Sequence, residues 1–276
     1  MTCDLRDAGR TAQVIQELHP DAVIHAQGQS DVDLCERDPV MAQAQNAETT
    51  AHLVEALRPT PAWLVYISTD YVFDGTKGSP YDEMDTPHPI SVYGRSKLAG
   101  ERLALQVPRG IVVRPSTLFG DGRMNFCDHI IARLYEGQAV EVFSDQVTSP
   151  TFTEDLADGL GALLETLRQR RAPSQRVLHM ANAGGCSRVE FAHRIADSLG
   201  YPRTGIRAIQ MVEQHRPASR PACSALTTRY LSHIIGRTLR PWEEALQAYL
   251  RQRRLYDVVP RPVPHESQGP QDGIPR

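Results

Sequence analysis

The feature that most constrains this chain is an alternation of short apolar runs with helical stretches. Ala22-Val23-Ile24-His25-Ala26, Trp63-Leu64-Val65-Tyr66-Ile67 and Gly110-Ile111-Val112-Val113-Arg114 are too short for core helices, and polar or turn-rich stretches follow them. Near-continuous apolar runs of this length read as parallel strands buried on both faces. Between them, residues 9–18 carry apolar side chains at helical spacing and stop at His19-Pro20. Asp38-Pro39 supplies an N-cap and a proline for the first helical position, opening a helix to about Leu57. A further helix is expected over about 92–105. Helix and strand in steady alternation predict an α/β fold with a doubly wound, Rossmann-type parallel sheet. After Pro115 the alternation loosens. Helices are expected at 125–135, 153–168, 187–199, 224–235 and 241–250, and short strands at 139–143, 176–180 and 206–209. This pattern reads as the last strands of the sheet mixed with a smaller α/β cap. The proline-rich segment 255–276 cannot build a core and is expected to be a disordered tail.

Composition narrows the partners. A net charge of −3 gives no electrostatic reason to expect nucleic acid or a membrane surface. No apolar run approaches the ~20 residues of a membrane span, and the first residues lack the basic-then-apolar order of a secretory signal. Cys3, Cys35, Cys127, Cys186 and Cys223 are scattered, which predicts free thiols in a reducing cytoplasm and no zinc site. All but two of the 30 basic residues are arginine. Lys77 and Lys97 therefore either mark places where a guanidinium fork does not fit or are what codon bias has left over.

Tyr93-Gly94-Arg95-Ser96-Lys97 opens the helix expected at 92–105. Positions i and i+4 share a helix face, so phenol and ammonium point the same way. A free tyrosine, with a pKa near ~10, is a poor acid–base catalyst at neutral pH. A fixed cation beside it favours phenolate and lowers that pKa, which makes a tuned proton donor. Alone, such a pair is usually a surface pair. Context sharpens it. Ser68-Thr69-Asp70-Tyr71 follows the strand at 63–67, and ligands of doubly wound sheets bind beyond the carboxyl ends of the strands. The Thr69 hydroxyl is thereby placed to hydrogen-bond a carbonyl, although a simple polar turn would read the same way.

Together the segments Ile67–Gly75, Tyr81 with Glu83, Pro89, Tyr93–Lys97 and Gly100-Glu101 resemble the dTDP-4-dehydrorhamnose reductase family of extended short-chain dehydrogenases/reductases. Asp31–Asp33 with Glu36, Asn46, Val113–Pro115, Phe119-Gly120, Ser149–Thr151, Asp155–Ala157, Arg220-Pro221, Ser224 and Pro241-Trp242 extend the resemblance over about residues 4–250. It implies reduction of the C4 keto group of a nucleotide-linked 4-keto-6-deoxy sugar by NADPH or NADH. Thr69, Tyr93 and Lys97 would be catalytic. Asp4, Leu5, Ala26, Gln27 and Gly28 would lie along the cofactor with Tyr93 and Lys97, and Asp70, Tyr71 and Arg220 would face the substrate. Arg220 is the candidate for its phosphates. Residues 1–120 with about 144–182 would form an incomplete dinucleotide-binding domain, and about 121–143 with 183–254 the substrate-binding domain. A homodimer is left open. Two departures, Ala26-Gln27-Gly28-Gln29 in place of an alanine run and Thr227 in place of an acidic residue, leave the sugar open. The alternatives are a non-catalytic subunit like the regulatory subunit of methionine adenosyltransferase, or an inactive fragment that lacks the glycine-rich loop.

The chain has no glycine-rich turn of the kind that holds a dinucleotide pyrophosphate at a helix N-terminus. The expectation is therefore an N-terminally truncated fold that lacks its first strands, leaves the strand at 22–26 as an exposed edge and binds dinucleotides weakly.

Overall fold

The computed structural model describes residues 2–169, 173 and 175–253. The tail expected from residue 255 lies outside the described residues. In chain order the first half comprises α1 (Ala8–Leu18), β1 (Ala22–His25), α2 (Val32–Arg37), α3 (Pro39–Gln43), a π-helical turn (Ala44–Glu48) and α4 (Thr49–Leu57). These are followed by β2 (Trp63–Ile67), α5 (Val92–Ala104) and β3 (Gly110–Arg114). The second half holds β4 (Leu118–Phe119), α6 (Phe126–Tyr135), β5 (Val140–Phe143), β6 (Val147–Thr148), β7 (Thr151–Phe152) and α7 (Thr153–Arg168). It ends with β8 (Val177–His179), β9 (Cys186–Ser187), α8 (Arg188–Leu199), β10 (Ile206–Ile209), α9 (Leu231–Ile235) and α10 (Trp242–Gln252).

The main sheet has the order β1-β2-β3-β8, and its pairs are all parallel. Its strands are apolar on both faces because both are covered. Ile15 of α1 and Leu53 and Leu57 of α4 pack with Leu64, Tyr66 and Val112. On the other face Leu163 and Leu167 of α7 pack with Val65, Ile111, Val113 and Leu178. Among the described residues β1 pairs only with β2, so it is the open edge, and Ile24 on it is 40% exposed. The cap has its own core. Phe119 stands 5.4–5.7 Å, ring centre to ring centre, from Phe152, Phe191 and Tyr249, and β5 pairs with β10 in parallel.

Three expectations change. The helix expected over 38–57 is interrupted by the π turn. The Asn46 carbonyl there accepts from the Tyr66 hydroxyl at 3.0 Å and the Thr50 hydroxyl at 3.3 Å, and side-chain groups inserted into a helix ladder break its α register. The helix expected over 224–235 is helical only from Leu231. Residues before it run extended beside Tyr81, whose N–H donates to Ala225 O at 2.8 Å while Thr227 N–H donates to Tyr81 O at 2.8 Å, so tertiary pairing overrides local preference. Leu231 and Leu239 also pack with β2, β3, β8 and α7, which puts part of the expected substrate-binding segment on the sheet.

Candidate active site

Where β2 ends, the chain stays anchored to β3. Ser68 N–H donates to Val113 O at 2.7 Å and Asp70 N–H to Pro115 O at 3.0 Å. The Ser68 hydroxyl donates to Glu101, whose carboxylate also accepts from Nε and Nη2 of Arg114 at 2.8 and 2.6 Å. Glu101 and Arg114 are almost fully buried, so this forked pair ties α5 to the sheet at the carboxyl end of the strands. The Thr69 hydroxyl accepts from Tyr71 N–H at 3.2 Å and donates to Asp70 Oδ1 at 3.2 Å. Asp70 Oδ2 accepts from the Ser116 hydroxyl at 2.8 Å and the Ser224 hydroxyl at 2.5 Å. Burial raises the Asp70 pKa, and these hydroxyls oppose the rise.

Ser91 caps α5 by accepting from Gly94 N–H at 3.2 Å. Gly94 itself admits no side chain, since a Cβ would fall on the Tyr71 carbonyl. Asn46 then links three elements. Its amide exchanges two hydrogen bonds with the Gln29 backbone, at 2.7 and 3.1 Å, and donates to the Ser96 hydroxyl at 2.9 Å. Ser96 in turn donates to Tyr93 O at 2.8 Å, so the π turn steadies the stretch between Tyr93 and Lys97. The Lys97 ammonium donates to Ile67 O at 2.7 Å and lies 4.3 Å from the centre of the Tyr66 ring. Burial lowers its pKa to about 8. Lys77 sits instead in an outer loop, paired with Asp85. The Tyr93 phenol is shifted upward by burial, with hydrogen bonding to Thr69 in opposition. The lowering expected from Lys97 is not found, and burial sets the direction.

Thr69, Asp70, Tyr71 and Tyr93 line one cleft of ≈ 560 Å³ between the sheet and the cap, which contributes Phe126 and Arg188. Tyr71 packs edge-on to Tyr93 at 5.8 Å. Lys97 is not part of the lining and is 6% exposed. Ala26, Gln27 and Gly28 are exposed just beyond β1. A Cβ at Gly28 would stand 2.6 Å from Asn46 Oδ1 and 3.8 Å from Lys97 Nζ, so a bare backbone runs beside the ammonium. This cradle, together with Lys97 and Tyr93, fits the ribose and nicotinamide of a dinucleotide. Asp4 is a surface residue ion-paired with Arg6, which holds its carboxyl down to about 2. Leu5 is partly buried, and its carbonyl is bonded by His52 at 2.8 Å. Neither lines the cleft. Arg220 does not line it either and forks onto Asp33 at 3.1 and 2.8 Å. Sequence reasoning assigned no role to Gln146 or Arg188, and Asn46 entered it only through the family resemblance. For Arg188 the available signal was its place behind Ser187, the start of a capping box with Glu190.

The parallel sheet, the cap and the Thr–Tyr–Lys arrangement at the strand ends define the class of extended short-chain dehydrogenases/reductases. A family model described as the RmlD substrate binding domain matches residues 1–255, and the chain belongs to this dTDP-4-dehydrorhamnose reductase family. It is 36% identical over 254 residues to dTDP-4-dehydrorhamnose reductase of Mycobacterium tuberculosis, spanning 90% of this chain and 81% of that one. A solved dTDP-4-dehydrorhamnose reductase from Bacillus anthracis, in complex with NADP, superposes with a TM-score of 0.83 at 31% identity, covering 90% and 86% of the two chains. A dTDP-glucose 4,6-dehydratase from Streptomyces venezuelae, with a TM-score of 0.73 at 19% identity over 91% and 78% of the chains, shares the fold. The expected loss of a leading segment is not shown by these matches. Among the described residues there is no disulfide, no cluster suited to a metal ion and no helix long and apolar enough to cross a membrane.

Proposed function

We propose that this chain reduces the C4 keto group of a dTDP-linked 4-keto-6-deoxy sugar, with NADPH or NADH as reductant. The observation that carries the reading is the convergence of Thr69 and Tyr93 on one cleft, with the Lys97 ammonium held on the Ile67 carbonyl at the end of β2. The same convergence favours catalysis over a purely binding role. Bound dinucleotide would supply the hydride to the carbonyl carbon. Ala26–Gly28 and Lys97 would hold its ribose and nicotinamide.

The remaining chemistry belongs to the chain's own groups. Burial keeps Tyr93 in its protonated form, which is the form a reduction needs. As the carbonyl oxygen gains negative charge, the Tyr93 Oη–H bond breaks and its proton moves to that oxygen, giving the alcohol. The phenolate left behind is stabilised by the Lys97 ammonium and reprotonated from solvent. The Thr69 hydroxyl accepts from Tyr71 N–H, so its one hydrogen is available to the substrate in exchange for the long bond to Asp70. Asp70 and Tyr71 would face the sugar.

Tyr93→Phe keeps the ring and removes the proton. With saturating reduced dinucleotide and the dTDP-linked keto sugar, followed by loss of nicotinamide absorbance, turnover should fall by ~10²-fold or more. Turnover equal to wild type would rule Tyr93 out as the acid.

A further inference from the structure

Building on the nucleotide-sugar reading, we infer that Arg188, at the first position of α8, grips the diphosphate of the substrate, and that Arg220 is a strut between the two halves of the molecule. The polar inventory of the cleft points this way. Asp31 is occupied as the cap of α2, accepting from Leu34 N–H at 2.9 Å. Asp70 is enclosed by the Ser116 and Ser224 hydroxyls, and Asp121 is paired with Arg253. The carboxylates of the wall are thus satisfied, whereas the Arg188 guanidinium is not. Its one hydrogen bond is long, from Nε to Gln146 Oε1 at 3.4 Å, and among the described residues it forms no ion pair. Its Cζ lies over the Phe126 ring, 4.8 Å from the ring centre, which helps to hold the group in place, and neither Nη is hydrogen-bonded among the described residues.

Arg188 is also connected to the reacting end of the cleft. Gln146 is buried and donates from Nε2 to the Tyr71 hydroxyl at 3.2 Å, and the Tyr71 ring abuts Tyr93. An anion held at Arg188 is therefore set at a fixed reach from Thr69 and Tyr93. Two further guanidinium groups, those of Arg216 and Arg220, belong to the same charged surroundings. Burial and then Arg220 depress the pKa of Arg216, with Arg188 acting in the same direction and Asp33, the fork partner of Arg220, acting against them. A guanidinium fork is the group suited to paired phosphate oxygens. Arg220 has spent its fork on Asp33 and its remaining reach on Ala218 O at 2.9 Å.

The test is calorimetric titration of the 276-residue chain with dTDP and with thymidine. Wild type should prefer dTDP. In Arg188→Gln the dTDP dissociation constant should rise about tenfold to hundredfold, the scale for losing hydrogen bonds to a charged group, while thymidine affinity stays as in wild type. Arg188→Lys, which keeps the charge and loses the fork, should fall between the two, and an unchanged melting temperature in either variant shows intact folding. If Arg188→Gln keeps the wild-type preference for dTDP, or Arg220→Gln loses more of it than Arg188→Gln, the inference is overturned and the reductase reading stands. If wild type binds neither nucleotide, the nucleotide-sugar reading fails and takes the inference with it.

Discussion

At the scale of single residues, the candidate groups of the cleft were legible where their pattern is local. Thr69 beside a strand end and Tyr93 four residues from Lys97 need only a spacing rule to be recognised. Arg220 was not legible, because its partner Asp33 is 187 positions away and no local pattern announces the pairing. Arg188 and Gln146 were missed for the same reason, since they gain meaning only when the cap folds onto the sheet. Burial was also invisible, and it sets the protonation of two histidines. His25, whose Nε2 lies 3.1 Å from the Thr50 hydroxyl, is held neutral by burial and then by the charge of Lys97, which lower its pKa to about 4. Burial and then Arg114 lower His179 to about 3. Both folded values lie below the unfolded value, so the unfolded chain binds more protons, and stability is lost as pH falls from about 6.5 toward 4. At pH 5 each histidine should cost on the order of 2 kcal/mol relative to pH 7. Denaturant unfolding at both pH values should show a smaller acid loss in His25→Gln than in wild type; an equal loss would mean that His25 is not the group responsible.

At the scale of elements, helices and strands were placed well where periodicity ran undisturbed, as in α7, whose bounds match the expected 153–168. The failures came where a partner from elsewhere rewrites the backbone, as at the π turn under Tyr66. That turn makes a sharp prediction through Gly100 on α5. A Cβ there would meet the Tyr66 hydroxyl and lie 2.6 Å from the Asn46 carbonyl. Gly100→Ala gains up to ~1 kcal/mol of helix preference, but overpacking of this kind typically costs ~1–3 kcal/mol. The net effect on chemical unfolding should be destabilising. Gly161 on α7 faces open space, and a methyl group there would meet no neighbouring element within 4 Å, so Gly161→Ala should stabilise. Equal responses at the two glycines would show that helix preference alone decides.

At the scale of the whole molecule, the alternating pattern was enough to give a parallel α/β sheet, and the lack of a glycine-rich turn pointed to β1 as its edge. It did not give the way α9 crosses from the cap onto the sheet, because an amphipathic helix does not state which core it joins. Among the described residues the open side of β1 presents unpaired backbone and the half-exposed Ile24, a template for pairing with another chain. Sedimentation at rising concentration should therefore reveal self-association, and Ile24→Lys should shift the protein toward the smaller species. Identical profiles would place any contact elsewhere. A last consequence follows from where the two lysines sit. With Lys97 buried and Lys77 in the outer loop by Asp85, a reagent that modifies lysine and spares the α-amino group meets a single reachable side chain. Dyes, biotin or a sensor surface coupled through lysine at Lys77 would hold the molecules in one orientation, with the cleft left clear for ligand.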